Sequence, residues 1–346
     1  MTLERKDIFN PVGDIEVNKK RIIGGNTTNL NDFNNIKYQW AMDLYRQMMN
    51  NFWIPEEISM SQDIKEYRLL DEYEKDAYDK VLSFLIFLDS VQTVNLPNVN
   101  DYVTASEVGL NLTIQAFQEA VHSQSYGYIL DSIAAPEERT GIIYLWKDDE
   151  HLLERNKFIG DIYNRFKEES SVENFMDVVI GNYILEGIYF YSGFMFFYNL
   201  GRMGKMPGTV QQIRYINRDE NTHLALFRNI VLELKKEEPQ LFTPERIEHY
   251  KDMIKEGVRQ EAAWGQYAIG DNIQGLTDKM VEDYIRYLGN LRSRGLGFGN
   301  LYEYTLLVPE SMGWVEQYSD PNAVKTDFFE GQVTAYTKAA AVEDDL

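Results

Sequence analysis

Two copies of one four-residue pattern constrain this chain more than any other feature. They are Glu119-Ala-Val-His122 and Glu220-Asn-Thr-His223, and they contain two of the four histidines in the sequence. Residues three apart share one face of a helix, so each pattern can offer a carboxylate and an imidazole to one metal ion. Tyr126 follows His122 by about one helical turn on the same stripe. One such pattern is weak evidence, because Glu and His are common on solvated helix faces, but two together predict a pair of metal ions.

A site with two metal ions in a helical bundle needs one further carboxylate from each of two other helices. Asp89 interrupts the apolar run at 81–91, and Glu186 interrupts a second apolar run at 178–191. Each acid alone could equally be a metal ligand or an ordinary acid, either at a helix surface or buried and hydrogen-bonded to a neighbour. An unpaired buried carboxylate is costly, however, so the set and its order predict metal ligands. The expected fold is all-α, a ferritin-like helical bundle with a di-metal carboxylate site in its core.

Composition and charge exclude several classes of function. The formal net charge of −21 argues against a nucleic-acid partner and against binding to anionic membranes, since phosphate groups are bound by basic surfaces. The chain has no cysteine, which excludes disulfides and thiol chemistry within it. Neither a signal peptide nor an apolar run of membrane-spanning length is evident, so we expect no membrane association and a cytoplasmic protein.

The pattern of polar and apolar residues predicts three regions. Residues 1–35 are polar and rich in Gly and Asn, which indicates an N-terminal extended arm; residues 36–318 form the helical di-metal domain; residues 319–346 form a flexible C-terminal tail. Strand signals are scarce. Within the helical domain, Leu96-Pro97 is expected to end the helix that carries Asp89, and one uninterrupted helix is expected from Val172 to Leu200.

The motifs in combination resemble the small, radical-generating subunit of class I ribonucleotide reductase. The resemblance covers nearly the whole chain and is carried by these segments: Phe52-Trp53-x-Pro55-Glu56-Glu57, Leu88-Asp89-Ser90-x-Gln92, Glu119-x-x-His122-Ser-x-Ser-Tyr126, Glu186 with its aromatic flank, Arg218-Asp219-Glu220-x-x-His223 and Lys325-Thr-Asp-Phe-Phe-Glu330. It implies Asp89, Glu119 and His122 as ligands of one ion, and Glu186, Glu220 and His223 as ligands of the other, with carboxylates able to bridge. It also implies that Tyr126 becomes a stable tyrosyl radical.

The donor set suits hard or borderline ions, because it offers carboxylates and imidazoles and no thiolate. We therefore expect two transition-metal ions per chain: di-iron first, with di-manganese or a manganese/iron pair also compatible. Phe190, Phe194 and Ile216 match the positions that shelter the radical in the family. Core packing alone would explain apolar residues at this helical spacing. Gln115, one turn before Glu119, occupies a position that varies in the family.

The resemblance further implies that the radical acts in another protein. A large (alpha) catalytic subunit would supply the cysteine that attacks the ribonucleotide, and the small subunit would be a homodimer. A flavoprotein activator is an additional partner that the sequence leaves open. The implied transfer route runs through Trp53, Asp219 and His122 to Tyr336 in the tail, which would dock on the large subunit. Without the resemblance, Trp53 would be interpreted as a core residue and Tyr336 as a surface one.

Two alternatives use the same fold. One is a ferritin-like di-metal oxidase or monooxygenase acting on its own substrate, and the other is a ferritin-like storage protein. Asp at the first ligand position, Tyr126 and the Phe328-Phe329 to Tyr336 tail disfavour the oxidase. A stable tyrosyl radical would distinguish the small subunit from either alternative.

Overall fold

The fold is that of a computed structural model, which describes residues 2–319. These residues form twelve α-helices, and no β-strand occurs among them. The first six helices are α1 Gln39–Asn50, α2 Asp63–Glu66, α3 Glu72–Asn100, α4 Ser106–Ile133, α5 Pro136–Asp148 and α6 Glu150–Glu168. The other six are α7 Val172–Ile184, α8 Tyr191–Arg202, α9 Pro207–Glu237, α10 Pro244–Ala268, α11 Asp278–Gly295 and α12 Gly313–Ser319. The predicted all-α class is confirmed.

Four long helical segments surround the core and give the bundle its ferritin-like form. They are α3, α4, α9 and the segment made of α7 and α8, and the contacts between α3 and α4 are the most extensive in the molecule. A short connection at 101–105 joins α3 to α4, which favours antiparallel packing of neighbouring helices. Helices α1, α5, α6, α10 and α11 pack around these four. Among the helices of residues 2–319, none has both the length and the apolar character that crossing a membrane requires.

The predicted end of α3 at Leu96-Pro97 is wrong. The helix begins at a capping box, where the Asp71 carboxylate accepts the backbone N–H groups of Tyr73 and Glu74, and it continues through Pro97 to Asn100. A proline inside a helix costs about 3 kcal/mol, because it removes one hydrogen bond and crowds the preceding turn. Leu96 and Val99 are fully buried on either side of Pro97, and burial of such side chains contributes about 1.5–3 kcal/mol each. Packing therefore offsets the local cost.

The single helix expected from Val172 to Leu200 is also wrong. A π-helical turn, Leu185–Tyr189, separates α7 from α8, and it contains Glu186. A π-turn inserts one residue into the helical repeat, so it shifts the face on which later side chains lie. Such turns are frequent at functional sites. Helical spacing from Glu186 to Phe190 and Phe194 therefore does not apply across this turn.

Residues 2–35 contain no α-helix and only one short 3-10 turn, Val17–Lys19. Ile22 and Ile23 are buried, and the backbone N–H of Thr104 donates to the Ile22 carbonyl oxygen at 2.8 Å. Other apolar side chains in this stretch are exposed, such as Ile8 and Phe9. The three-region division remains a prediction, and the tail with Tyr336 lies outside the described residues.

The start of α9 is fixed by a buried carboxylate from α2. Asp63 accepts the backbone N–H groups of Gly208 and Thr209 at 2.8 and 2.7 Å, and the Thr209 hydroxyl at 2.8 Å. Unpaired N–H groups at a helix start need such partners. The chain enters α9 through Met206, whose φ of 54° is left-handed. Asp63 thus sets where the helix that carries Glu220 and His223 begins.

Replacing Asp63 by Ala should lower the free energy of unfolding of the metal-free protein by about 2–3 kcal/mol, since hydrogen bonds to charged groups contribute about 1.5–3 kcal/mol. Urea unfolding measures this change. The matched control is Ser61→Ala, an exposed position where we expect a change within about 0.5 kcal/mol. Equal stability of D63A and the parent would show that α9 begins without this cap.

Candidate metal centre

The structure brings together the six side chains that the sequence predicts as metal ligands. Helix α4 presents one Glu-x-x-His pair and α9 presents the other, α3 contributes one aspartate and the π-turn one glutamate. All six are fully buried. Their donor atoms form two overlapping groups, within each of which the atoms lie within 4.8 Å of one another: Asp89, Glu119, His122 and Glu220 in the first group, and Glu119, Glu186, Glu220 and His223 in the second. Glu119 and Glu220 belong to both groups.

The first group is centred on Nδ1 of His122. This nitrogen lies 3.0 Å from Oε1 of Glu220, 3.5 Å from Oε2 of Glu119 and 3.7 Å from Oδ2 of Asp89. One imidazole nitrogen and three carboxylate oxygens thus converge on one small volume. This is the donor set expected of a hard or borderline cation.

The second group is centred on Nδ1 of His223 in the same way. This nitrogen lies 2.6 Å from Oε2 of Glu220, 3.3 Å from Oε1 of Glu119 and 3.6 Å from Oε2 of Glu186. The two oxygens of Glu220 therefore face different histidines, and so do the two oxygens of Glu119. Each of these two carboxylates has the orientation of a bridge between two cations.

The far side of each imidazole ring has a different partner. Nε2 of His122 lies 3.3 Å from Oδ2 of Asp219, and Nε2 of His223 lies 3.0 Å from the amide oxygen of Gln118. Both partners are acceptors, so each Nε2 donates to its partner and each Nδ1 faces the carboxylates of the cluster. Partners of this kind fix the tautomer and orientation of metal-binding histidines.

Glu186 is held by two glutamines. The side-chain N–H groups of Gln92 and Gln115 donate to its Oε1 at 2.7 and 3.0 Å. The amide oxygen of Gln92 in turn accepts the Tyr163 hydroxyl at 3.0 Å. These bonds occupy one oxygen of Glu186 and direct the other toward His223. The role of Gln115, which the sequence left open, is to join Glu186 to Glu119, to which it also donates at 3.1 Å.

Several buried atoms of the cluster have no hydrogen-bond partner among residues 2–319. They are both oxygens of Asp89, one oxygen each of Glu119, Glu186 and Glu220, and Nδ1 of His122. Buried polar groups are nearly always satisfied, so such a concentration of unsatisfied acceptors indicates a missing positive partner. In the described part of the chain, the ion pairs made by Lys and Arg include none of the four carboxylates. Two divalent cations would balance four carboxylates.

Crowding of negative groups is visible in the acids at the two ends of the cluster. Burial, together with the carboxylates of Glu119 and Glu220, raises the pKa of Asp89 well above its ordinary value. Burial and the carboxylates of Glu220 and Glu119 raise the pKa of Glu186 in the same way. Burial and the crowding of negative charge thus favour the protonated form of these two acids.

At Glu220, His122 and His223, neighbouring charges have a larger effect on the pKa than burial has. Burial alone would raise the pKa of Glu220, but His122 and His223 outweigh it and hold that pKa well below its usual range. Burial alone would lower the pKa of each histidine, and the Glu220 carboxylate outweighs it and raises both. A cation that binds here must displace protons, so its affinity is expected to increase with pH.

Tyr126 lies one turn beyond His122 in α4 and is fully buried. Its hydroxyl lies beside the Asp89 carboxylate. Burial, followed by the carboxylate of Asp89, raises the pKa of Tyr126 well above its ordinary value. The phenol is therefore neutral and dry beside the first group of ligands.

The three residues predicted to shelter Tyr126 are also buried in the core. Phe190 and Phe194 contact each other with ring centroids 5.8 Å apart, and Phe190 reaches Phe84 of α3 at 6.5 Å. Ile216 is fully buried on α9, one turn before Glu220. Their assignment to a radical pocket stays a prediction.

Trp53 is connected to the cluster through one carboxylate. Its indole N–H donates to Oδ2 of Asp219 at 2.9 Å, the same oxygen that faces His122. The ring centroids of Trp53 and His122 are 6.4 Å apart. Arg218 donates to the other oxygen of Asp219 at 3.2–3.3 Å. A continuous polar contact thus links the first ligand group to Trp53.

Gln118 is the contact that sequence reasoning missed. It directly precedes Glu119, off the stripe shared by Glu119, His122 and Tyr126, and glutamine is ordinary on a helix. No local pattern indicates that it meets His223, which is 105 residues away. Gln92 was part of a recognised motif, but its bond to Glu186 depends on how α3 packs beside the π-turn.

Comparison with known proteins decides the family. The sequence matches the family described as "Ribonucleotide reductase, small chain" over residues 30–309, well over half of the chain. This chain belongs to that family. The matched segment contains all six clustered residues, Tyr126, Trp53 and Asp219.

Individual members of the family cover almost all of the chain. A ribonucleoside-diphosphate reductase subunit beta of Treponema pallidum (strain Nichols) is 65% identical over 344 residues, 99% of this chain and 98% of that protein. The protein of the same description from Halalkalibacterium halodurans is 40% identical, over 92% of each chain. A solved ribonucleotide reductase R2 subunit from Clostridium botulinum is 51% identical with a TM-score of 0.89, over 92% of this chain and all of that one.

Replacing Glu119 or His223 by Ala should sharply reduce metal content after loading with Mn²⁺ or Fe²⁺. Each removes a donor, and Glu119→Ala removes one that faces both groups. Loss of an outer partner alone costs about 10- to 100-fold in metal affinity, so loss of a ligand should exceed about 100-fold. Elemental analysis of desalted protein measures the content.

The matched control is His249→Ala, which removes a histidine that pairs with Asp177 away from the cluster. We expect it to retain both ions. Full metal content in both E119A and H223A would contradict the assignment of the cluster as the metal site.

Proposed function

We propose that this chain is the radical-generating small subunit of a ribonucleoside-diphosphate reductase, with two transition-metal ions between α3, α4, the π-turn and α9. The observation that carries the proposal is the buried cluster of four carboxylates and two imidazoles with the neutral phenol of Tyr126 beside it. Family membership supports the reaction, because the relatives described above bear this name.

The first ion would be held by Asp89 and His122, the second by Glu186 and His223, with Glu119 and Glu220 between them. Oxygen donors with one imidazole per ion suit iron and manganese, and we propose a di-iron, di-manganese or mixed pair. When bound and oxidised by an oxygen species, such a pair would supply the oxidising power that turns a tyrosine into a tyrosyl radical.

Tyr126 is the residue proposed to carry the radical. Its hydroxyl keeps its proton in the resting protein, because burial and the Asp89 carboxylate disfavour the phenolate. Loss of an electron must therefore be coupled to loss of that proton, and Asp89 is the carboxylate beside it. Full burial keeps water and reductants away from the oxidised ring.

His122, Asp219 and Trp53 form the proposed route by which the oxidising equivalent leaves the core. Oδ2 of Asp219 contacts both the imidazole Nε2 and the indole N–H, so protons and charge can shift between the rings over two hydrogen bonds. Trp53 lies on a pocket of about 230 Å³ together with Phe52 and Phe117. Phe52 and Phe117 are both largely exposed. The route therefore leads from the buried cluster to the surface.

The proposed partner at the end of this route is the large catalytic subunit. This chain has no cysteine, so a thiol that attacks the ribonucleotide must come from another protein. We propose a homodimer of this chain, and a tail in which Tyr336 continues the route. A flavoprotein activator is a further candidate partner. The alternative of a di-metal oxidase or monooxygenase with its own substrate is not favoured.

Replacing Tyr126 by Phe should preserve both ions and the fold but remove the tyrosyl radical and nucleotide reduction. Only the oxidisable hydroxyl beside Asp89 is lost, and the buried ring stays. Electron paramagnetic resonance (EPR) after metal loading and oxidation measures the signal. The control Tyr250→Phe removes a hydroxyl that donates to the Leu241 carbonyl and should keep the signal. A Y126F protein with a normal tyrosyl signal would place the radical elsewhere.

Replacing Trp53 by Phe should leave the Tyr126 radical able to form but reduce turnover with the large subunit to background. The change removes the indole N–H that donates to Asp219. Trp40→Phe is the matched control, because its indole N–H has no partner in the described chain. Turnover assays and EPR on the same samples separate the two steps. Normal turnover of W53F would indicate that Trp53 only packs in the core.

A further inference from the structure

The π-turn that carries Glu186 is contacted by charged side chains from three other helices. Arg292 of α11 donates through Nε to the Gly187 carbonyl at 2.9 Å. Arg155 of α6 donates to the Tyr189 carbonyl. Glu261 of α10 accepts the backbone N–H of Ser192 at 2.7 Å. We call Arg155, Glu261 and Arg292 the clamp.

These contacts provide hydrogen-bond partners for backbone groups in and next to the π-turn. Regular helices satisfy their own backbone groups, whereas a change of winding breaks the regular ladder and leaves groups that need other partners. Two carbonyls and one N–H group of the segment 187–192 obtain those partners from the clamp. The other five residues of the cluster lie on regular α-helices. Glu186 is therefore the ligand whose direction depends on outside contacts.

Arg292 reaches the turn because residue 187 is a glycine. A Cβ at this position would lie 3.0 Å from Nε of Arg292 and 2.7 Å from Cδ1 of Leu224, the neighbour of His223. Arg292 also donates to the Tyr191 hydroxyl at 3.0 Å, so its guanidinium joins the turn to the first residue of α8. One side chain thus holds the π-turn on both sides of Phe190.

Arg155 and Glu261 form a buried ion pair against the opposite end of the turn. The guanidinium carbon of Arg155 lies 3.9 Å from the ring centroid of Phe84 and 4.3 Å from that of Tyr189. Removal of either charge would leave the other buried without a partner, which is strongly destabilising. Substitution of Arg155 or Glu261 would therefore destabilise the fold, whereas Arg292 can be replaced without leaving a buried charge unpaired.

We propose that the clamp positions Glu186 for the ion on the His223 side, and that Arg292 is a positioning residue for that ion alone. The inference rests on the proposed two-ion site. It goes beyond that site in assigning a role to residues that touch neither an ion nor its ligands. If the clamp loosens, the π-turn relaxes toward regular helix, and Glu186 turns away from Glu119, Glu220 and His223.

The test uses Mn²⁺ alone, titrated anaerobically into full-length protein and followed by EPR of the free ion. Arg292→Met keeps the unbranched apolar stem and removes every donor, while Arg292→Lys restores one charged donor. Arg228→Met is the matched control, since Arg228 donates through Nε to the Gly295 carbonyl, also in α11, without touching the turn. Each change is made in the parent, in Asp89→Ala and in Glu186→Ala.

In the parent, R292M should lower the affinity for one of the two ions by about 10- to 100-fold, which is the usual effect of losing an outer partner. R292K should recover part of that affinity. In D89A, where the Glu186 side remains, R292M should weaken the remaining ion to the same extent. In E186A, where the Asp89 side remains, it should change affinity by less than about two-fold, because the ligand that Arg292 positions is absent. Hydrogen exchange of 185–193 should accelerate in R292M and not in R228M.

Unchanged binding of both ions in R292M would overturn the inference and leave the two-ion site intact. The inference would also be overturned if R292M weakened the binding of both ions equally, and did so in the E186A background as well as in D89A. That result would indicate a general loss of structure. A parent protein that binds no Mn²⁺ would refute the site itself and the inference with it.

Discussion

Four carboxylates that converge in a dry core are the constraint on which the rest of this structure depends. Burial and neighbouring carboxylates oppose the ionisation of Asp89 and Glu186, whereas the two histidines favour it at Glu220. No Lys or Arg of the described chain pairs with any of the four carboxylates. Burying a charge without a partner costs far more than one side chain can offset. The bundle is stable around this cluster only if protons or cations neutralise it. Because Glu119 and Glu220 belong to both donor groups, the cluster favours two adjacent cations.

The two halves of the cluster differ in what lies behind them. Behind His122 is a carboxylate, Asp219, which continues to Trp53 and to an apolar pocket at the surface. Behind His223 is the neutral amide of Gln118, and behind Glu186 are Gln92 and Gln115. A negative partner supports transient positive charge on an imidazole, whereas a neutral amide only fixes its orientation. This difference supports the proposal that charge leaves the centre on the His122 side.

Helical periodicity, combined with the known pattern of two Glu-x-x-His pairs and two further acids, predicts the all-α fold and the six clustered residues. The two Glu-x-x-His pairs each lie within one helical turn, so their geometry follows from 3.6 residues per turn wherever the helices are regular. Asp89 and Glu186 were predictable because a lone acid in an apolar run needs a partner. The π-turn at 185–189 could not be predicted, because Leu185-Glu-Gly-Ile-Tyr189 has no proline and a regular helix is the default for such a run. The passage of α3 through Pro97 and the contacts of Gln118, Arg155 and Arg292 depend on which helices become neighbours, which no local pattern specifies.

Anomalous X-ray diffraction at the manganese absorption edge, on crystals of Mn²⁺-loaded protein, tests the central claim most directly. The account predicts two anomalous peaks per chain, one between Nδ1 of His122 and Asp89 and the other between Nδ1 of His223 and Glu186. Oxygens of Glu119 and Glu220 should lie close to both peaks. A single peak, or ordered Mn²⁺ bound only to acids on the surface while the buried cluster remains empty, would contradict it.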